Sequence, residues 1–64
     1  MTNNEVRDLY QQGMDWCDVL LEEAKASGEI DVIFEQTAEL MWLSYAMQKL
    51  SAIEAEEAIN ASNT

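Results

Sequence analysis

Gly28 is the one strong break in this sequence. The chain of 64 residues contains no proline, and its only other glycine is Gly13. Proline and glycine are the residues least compatible with a helix interior. A chain punctuated this way reads as two helices joined near Gly28. Thr2 and Glu5 stand three apart ahead of an apolar-periodic segment, the pattern of a capping box. The first helix is therefore expected over about 3–26. Val6, Leu9 and Tyr10, then Trp16, Cys17, Leu20, Leu21 and Ala24, recur at spacings of three and four. They form one apolar stripe. Gly13 falls inside that stripe, where glycine costs about 1 kcal/mol against alanine. Either a neighbouring helix or large side chain approaches closely there, or the position is a tolerated weak spot.

Ser27-Gly28 reads as a helix stop, with Gly28 suited to a left-handed cap. The turn is expected over about 27–30. Asp31 is a candidate N-cap for a second helix over about 31–59, and Glu29, Asp31 and Glu35 favour its N-terminal dipole. Residues 60–64 read as a frayed tail.

The second helix contains the stretch Leu40-Met41-Trp42-Leu43-Ser44-Tyr45-Ala46-Met47, eight uncharged residues in a chain of formal net charge −10. As a strand it would have no partner strand, and its surroundings are rich in Ala, Glu, Gln, Met and Leu, all helix formers. On a helix it covers every direction around the axis. Phe34, Ala38, Met41 and Tyr45 form one line, Ile33, Leu40 and Met47 another, and Leu43, Ala46, Leu50 and Ile53 a third. A helix apolar all round is normally buried all round, and one neighbouring helix cannot achieve that. The expected fold class is therefore all-α: a two-helix antiparallel hairpin that forms a four-helix arrangement as a homodimer. Met41, Trp42, Tyr45, Met47 and Leu50 are the candidate residues of a dimer or partner interface.

Size and composition narrow the rest. A chain this short forms one domain and is marginally stable alone. Cys17 is the only cysteine and there is no histidine, so neither an internal disulfide nor a His/Cys metal site is expected. Thirteen acidic residues oppose Arg7, Lys25 and Lys49. That balance argues against direct contact with nucleic acid or an anionic membrane, both of which require clustered bases. No signal-like segment opens the sequence, and the expectation is a cytoplasmic protein with a reduced thiol.

Catalytic chemistry is not expected. No histidine is present for acid–base work near neutral pH. Cys17 has no His or Lys companion to activate it and reads as a buried thiol. No glycine-rich phosphate loop and no calcium-loop pattern occur, and no cofactor is expected. The acidic residues are the distinctive surface. Asp8, Asp15, Asp18 and Glu22, with Glu5, line one flank of the first helix as a column of like charge, which weakens an isolated helix. Glu54, Glu56 and Glu57 crowd the end of the second, where the dipole disfavours anions. One reading is a solvated face that keeps an apolar dimer in solution. The other is capture of a basic protein surface, with carboxylates standing where backbone phosphates would lie.

The short acidic chain, the Gly28 hairpin, the acidic faces and the LMWLSYAM run together resemble a type of bacteriophage protein. These are small, acidic, all-helical proteins that inactivate host proteins by direct binding, among them anti-CRISPR and anti-quorum-sensing proteins. Some of the latter are helical-hairpin dimers that block the DNA-binding domain of a LuxR-type regulator. The resemblance implies an inhibitor of a host protein with a basic surface, such as a transcription regulator or another nucleic-acid-handling protein. The competing reading is a structural dimerisation, adaptor or chaperone module that holds a partner helix in an apolar groove.

Overall fold

A computed structural model describes residues 1–63 of the chain. Two helices, α1 (Asn3–Ser27) and α2 (Ile30–Ser62), pack against each other. The start of α1 follows from its first residues. The Thr2 hydroxyl accepts from the Glu5 backbone N–H at 3.2 Å, and Glu5 Oε1 accepts from the Thr2 backbone N–H at 3.3 Å. This reciprocal pair satisfies two donors that the first turn leaves open. Gly28 ends α1 at φ 73°, ψ 24°. An L side chain is unfavourable in that left-handed region. Beyond it, the Glu29 N–H closes back on the Ala24 carbonyl at 3.0 Å.

The turn is tighter than the sequence implied. Glu29, not Asp31, is the N-cap of α2, and it makes no side-chain cap bond. The left-handed step at Gly28 reverses the chain so quickly that helix resumes at Ile30. Asp31 then lies inside the first turn, where its charge still meets the positive end of the helix dipole. The far end also departs from expectation. Asn60, Ala61 and Ser62 are helical rather than frayed. The Ser62 hydroxyl donates to the Ala58 carbonyl at 3.0 Å, and the Asn63 N–H reaches Ile59 O at 3.1 Å. Thr64 lies outside the described residues.

The layer between the helices is thin. Among the described residues, Cys17, Leu21, Ala24 and Leu50 are buried, and no large side chain is completely enclosed. Ile33, Gln36, Leu40, Leu43 and Met47 turn toward α1 with Leu50 and are half-buried. Gly13 is a point of close approach: a Cβ there would stand 3.1 Å from Leu43 Cδ1. Two members of the expected α1 stripe do not join the layer. Leu9 and Trp16 are 51% and 62% exposed, because α2 covers only a narrow arc of α1. Farther from the turn, Arg7 pairs with Glu54 through both guanidinium nitrogens, one at 3.3 Å. Beyond Glu54 every described residue of α2 is exposed.

The result is a rod of 56 × 16 × 13 Å. Its radius of gyration is 15.7 Å, where a globular chain of this length would have about 11 Å. Its accessible surface is 4897 Å², against about 4,200 Å² for a compact monomer of this mass.

Candidate functional site

Two surfaces stand out, and both follow from how each helix divides its faces. On α1, Cys17, Leu21 and Ala24 fix the side turned to α2. Asp8, Asp15, Asp18 and Glu22 are therefore turned away from it, and all four are exposed. Little within the chain neutralises them. Asp15 Oδ1 accepts a hydrogen bond from Gln11 Nε2 at 3.0 Å, and Glu22 meets Lys25 at 3.7 Å. Arg7 is committed to Glu54, whose carboxylate raises the guanidinium pKa by hydrogen bonding and charge. Lys49 lies 5.3 Å from the centre of the Tyr45 ring, a cation–π contact. Among the described residues, no base forms an ion pair with Asp8, Asp15 or Asp18.

The second surface is the outer side of α2. Phe34, Met41, Trp42 and Tyr45 are 70%, 69%, 72% and 52% exposed. The Trp42 and Tyr45 rings meet edge-on, with centroids 6.3 Å apart. Ala38, Met41, Trp42 and Tyr45 frame an open depression of about 490 Å³, shaped to receive protruding side chains rather than to enclose a small molecule. Of the five residues expected at an apolar interface, Met41, Trp42 and Tyr45 lie here. Leu50 does not: at 8% exposure it belongs to the layer against α1. Met47 also turns inward and is half-buried. Both stand on the inner face that carries Leu40, Leu43 and Glu54, because 3.6 residues per turn bring them round to α1.

Cys17 is 2% exposed, and its Sγ lies 3.8 Å from Glu39 Oε2. Burial raises its thiol pKa, and the nearby Glu39 and Asp18 carboxylates raise it further. A thiol held protonated is a poor nucleophile. Among the described residues, no group of three or more Cys, Asp or Glu side chains is placed to hold a metal ion. Among the described residues, no helix is long and apolar enough to cross a membrane.

Sequence reasoning missed the pairings across the hairpin: Leu43 over Gly13, Glu39 beside Cys17, and Glu54 with Arg7. A signal for them existed. Positions equidistant from a turn at Gly28–Glu29 face each other in an antiparallel pair, and the first two follow that rule directly. Comparison with known protein families, with curated proteins and with solved structures finds no match for this chain.

Proposed function

We propose that this chain is a small acidic inhibitor that acts as a homodimer, docking on and blocking a protein with a basic surface. Its target class is a DNA-binding transcription regulator or another nucleic-acid-handling host protein. The observation that carries the reading is the exposed carboxylate strip of Asp8, Asp15, Asp18 and Glu22, of which only Glu22 meets a base, Lys25, among the described residues, while Arg7 pairs with Glu54 and Lys49 lies over Tyr45. Fixed negative charge along a helix attracts the same Arg and Lys side chains that otherwise contact phosphates. A dimer would carry about twice the formal charge of −10 and present two such strips. Its action requires no catalytic group.

The outer face of α2 supports a second reading, a dimerisation or adaptor module that works through apolar packing. Salt separates the two. Docking through the strip weakens steeply as ionic strength rises, whereas apolar packing does not. The test is displacement of basic helix-turn-helix regulators from their operators in a gel shift, at low and high salt. The expected result is release by the wild-type protein at low salt and no release by Asp15→Lys/Asp18→Lys. Equal release by that variant would refute the electrostatic reading.

A further inference from the structure

The outer face of α2 has a regularity that its role as an apolar patch does not require. Phe34, Ala38, Met41, Tyr45, Gln48, Ala52, Ala55 and Ile59 follow one another at alternating spacings of four and three. That is a heptad seam. Every residue of the seam is exposed, while Gln36, Leu43 and Leu50, on the other side of the same helix, turn to α1. A single helix thus carries two apolar faces, and the hairpin covers only one.

We infer that the seam is covered by a second copy of this chain, with the two α2 helices packed antiparallel and Trp42 next to the two-fold axis. This rests on the homodimer reading above and specifies its geometry. Three observations favour it. The first is area. The rod exposes about 700 Å² more than a compact chain of its mass, close to the roughly 800 Å² that each partner gives to a standard interface. The second is size. The bulky residues Phe34, Met41 and Tyr45 occupy the first half of the seam; Gln48, Ala52 and Ala55 follow, and Ile59 at the far end lies past the start of the other copy's α2. An antiparallel pair sets Phe34 against Ala52 of the other copy, large against small, as close packing requires. A parallel pair would set Phe34 on Phe34 and leave Ala52 facing Ala52.

The third observation is charge. Glu35, Trp42, Lys49 and Glu56 flank the seam along one side, seven residues apart. Flanking positions of this kind choose partner orientation in coiled coils. In the antiparallel register Trp42 meets its own copy, and Lys49 faces Glu35 of the other chain, twice per dimer. A parallel pair would instead put these positions on opposite edges of the seam, with Glu35, Lys49 and Glu56 facing Ile30, Ser44 and Ser51 of the other chain, and would leave Lys49 without an acidic partner.

Charge exchange tests the geometry. Glu35 and Lys49 are fourteen residues apart on one helix, about 21 Å, more than two Debye lengths at physiological salt. Any compensation between them is therefore intermolecular. The dimer dissociation constant is measured by sedimentation equilibrium for the wild type, Glu35→Lys, Lys49→Glu and the double variant, with helicity monitored by circular dichroism. Each single reversal is expected to weaken the dimer about tenfold, since two exposed pairs become two repulsions. The double variant is expected to recover to within about threefold of wild type. A dimer that both single changes weaken and the double change fails to restore would overturn the antiparallel arrangement while leaving the homodimer standing. A chain that stays monomeric at all concentrations would overturn both.

Discussion

Gly13 sits where two effects of known size oppose each other, and the structure decides which is larger. Replacing a mid-helix glycine with alanine favours the helix by about 1 kcal/mol. Against this, the new Cβ would lie 3.1 Å from Leu43 Cδ1, 3.6 Å from Cδ2 and 4.0 Å from Cγ. Only the first contact is tighter than ordinary van der Waals distance, and relief requires a few tenths of an ångström. The obstructing atom is the end of a rotatable side chain, and Leu43 is only half-buried. A modest rotation of Leu43 costs about 0.5 kcal/mol, the low end for an off-rotamer side chain. Gly13→Ala is therefore expected to stabilise the protein by about 0.5 kcal/mol, roughly 4 °C in Tm for a chain of this length. Urea unfolding followed by circular dichroism, at one fixed protein concentration, measures it. In a Leu43→Ala background the obstruction is gone and the same change is expected to give the full ~1 kcal/mol. Destabilisation by Gly13→Ala of more than about 1 kcal/mol, the scale of overpacking, would show that Leu43 cannot yield and would refute the reasoning.

Two further outcomes follow from single side chains. Gln36 Oε1 is buried without a hydrogen-bond partner, so Gln36→Met is expected to stabilise by about 1 kcal/mol in thermal unfolding. Loss of stability would mean that the amide has a partner after all. The Cys17 thiol has a raised pKa in the folded chain, mainly through burial. The unfolded thiol therefore ionises first, and the contribution of Cys17 is intact below the ordinary thiol range near ~8.5. It declines as pH rises through that range toward the folded value. Urea midpoints between pH 7 and 10 are expected to fall more for wild type than for Cys17→Ala, and parallel curves would count against burial as the cause.

The hairpin itself was legible because its signals are local. Thr2 and Glu5 cap α1 within one turn, and only Gly28 tolerates the left-handed step that ends it. The close approach at Gly13 was legible as one of two options, since glycine there needed a reason. Leu43 as its neighbour was not, because the pairing depends on the register across the turn. Asp31 was misplaced by two residues because cap preference describes residue types, whereas Gly28 had already fixed where the chain turns. The continuation through Ser62 rests on a hydroxyl returning to Ala58, a contact that composition does not reveal. In the surfaces, exposure of Asp8, Asp15, Asp18 and Glu22 followed from the stripe opposite them. Met47 was grouped with Trp42 because an unbroken apolar run hides which of its sides faces inward, and Leu50 because it continues the line of Leu43 and Ala46 out of that run.

The thin layer between the helices also orders how the molecule opens. Three of its four buried residues, Cys17, Leu21 and Ala24, lie in the half of α1 nearest Gly28. Contacts near the turn join residues close in sequence and close the smallest loops. Those at Arg7 and Glu54 join residues 47 apart and carry side chains one-third exposed. The rod behaves as a zipper with its closed end at Gly28 and a salt-sensitive clasp at the other. Amide exchange should then slow progressively from the Arg7 end of α1 toward Ala24, as local opening gives way to unfolding of the whole hairpin.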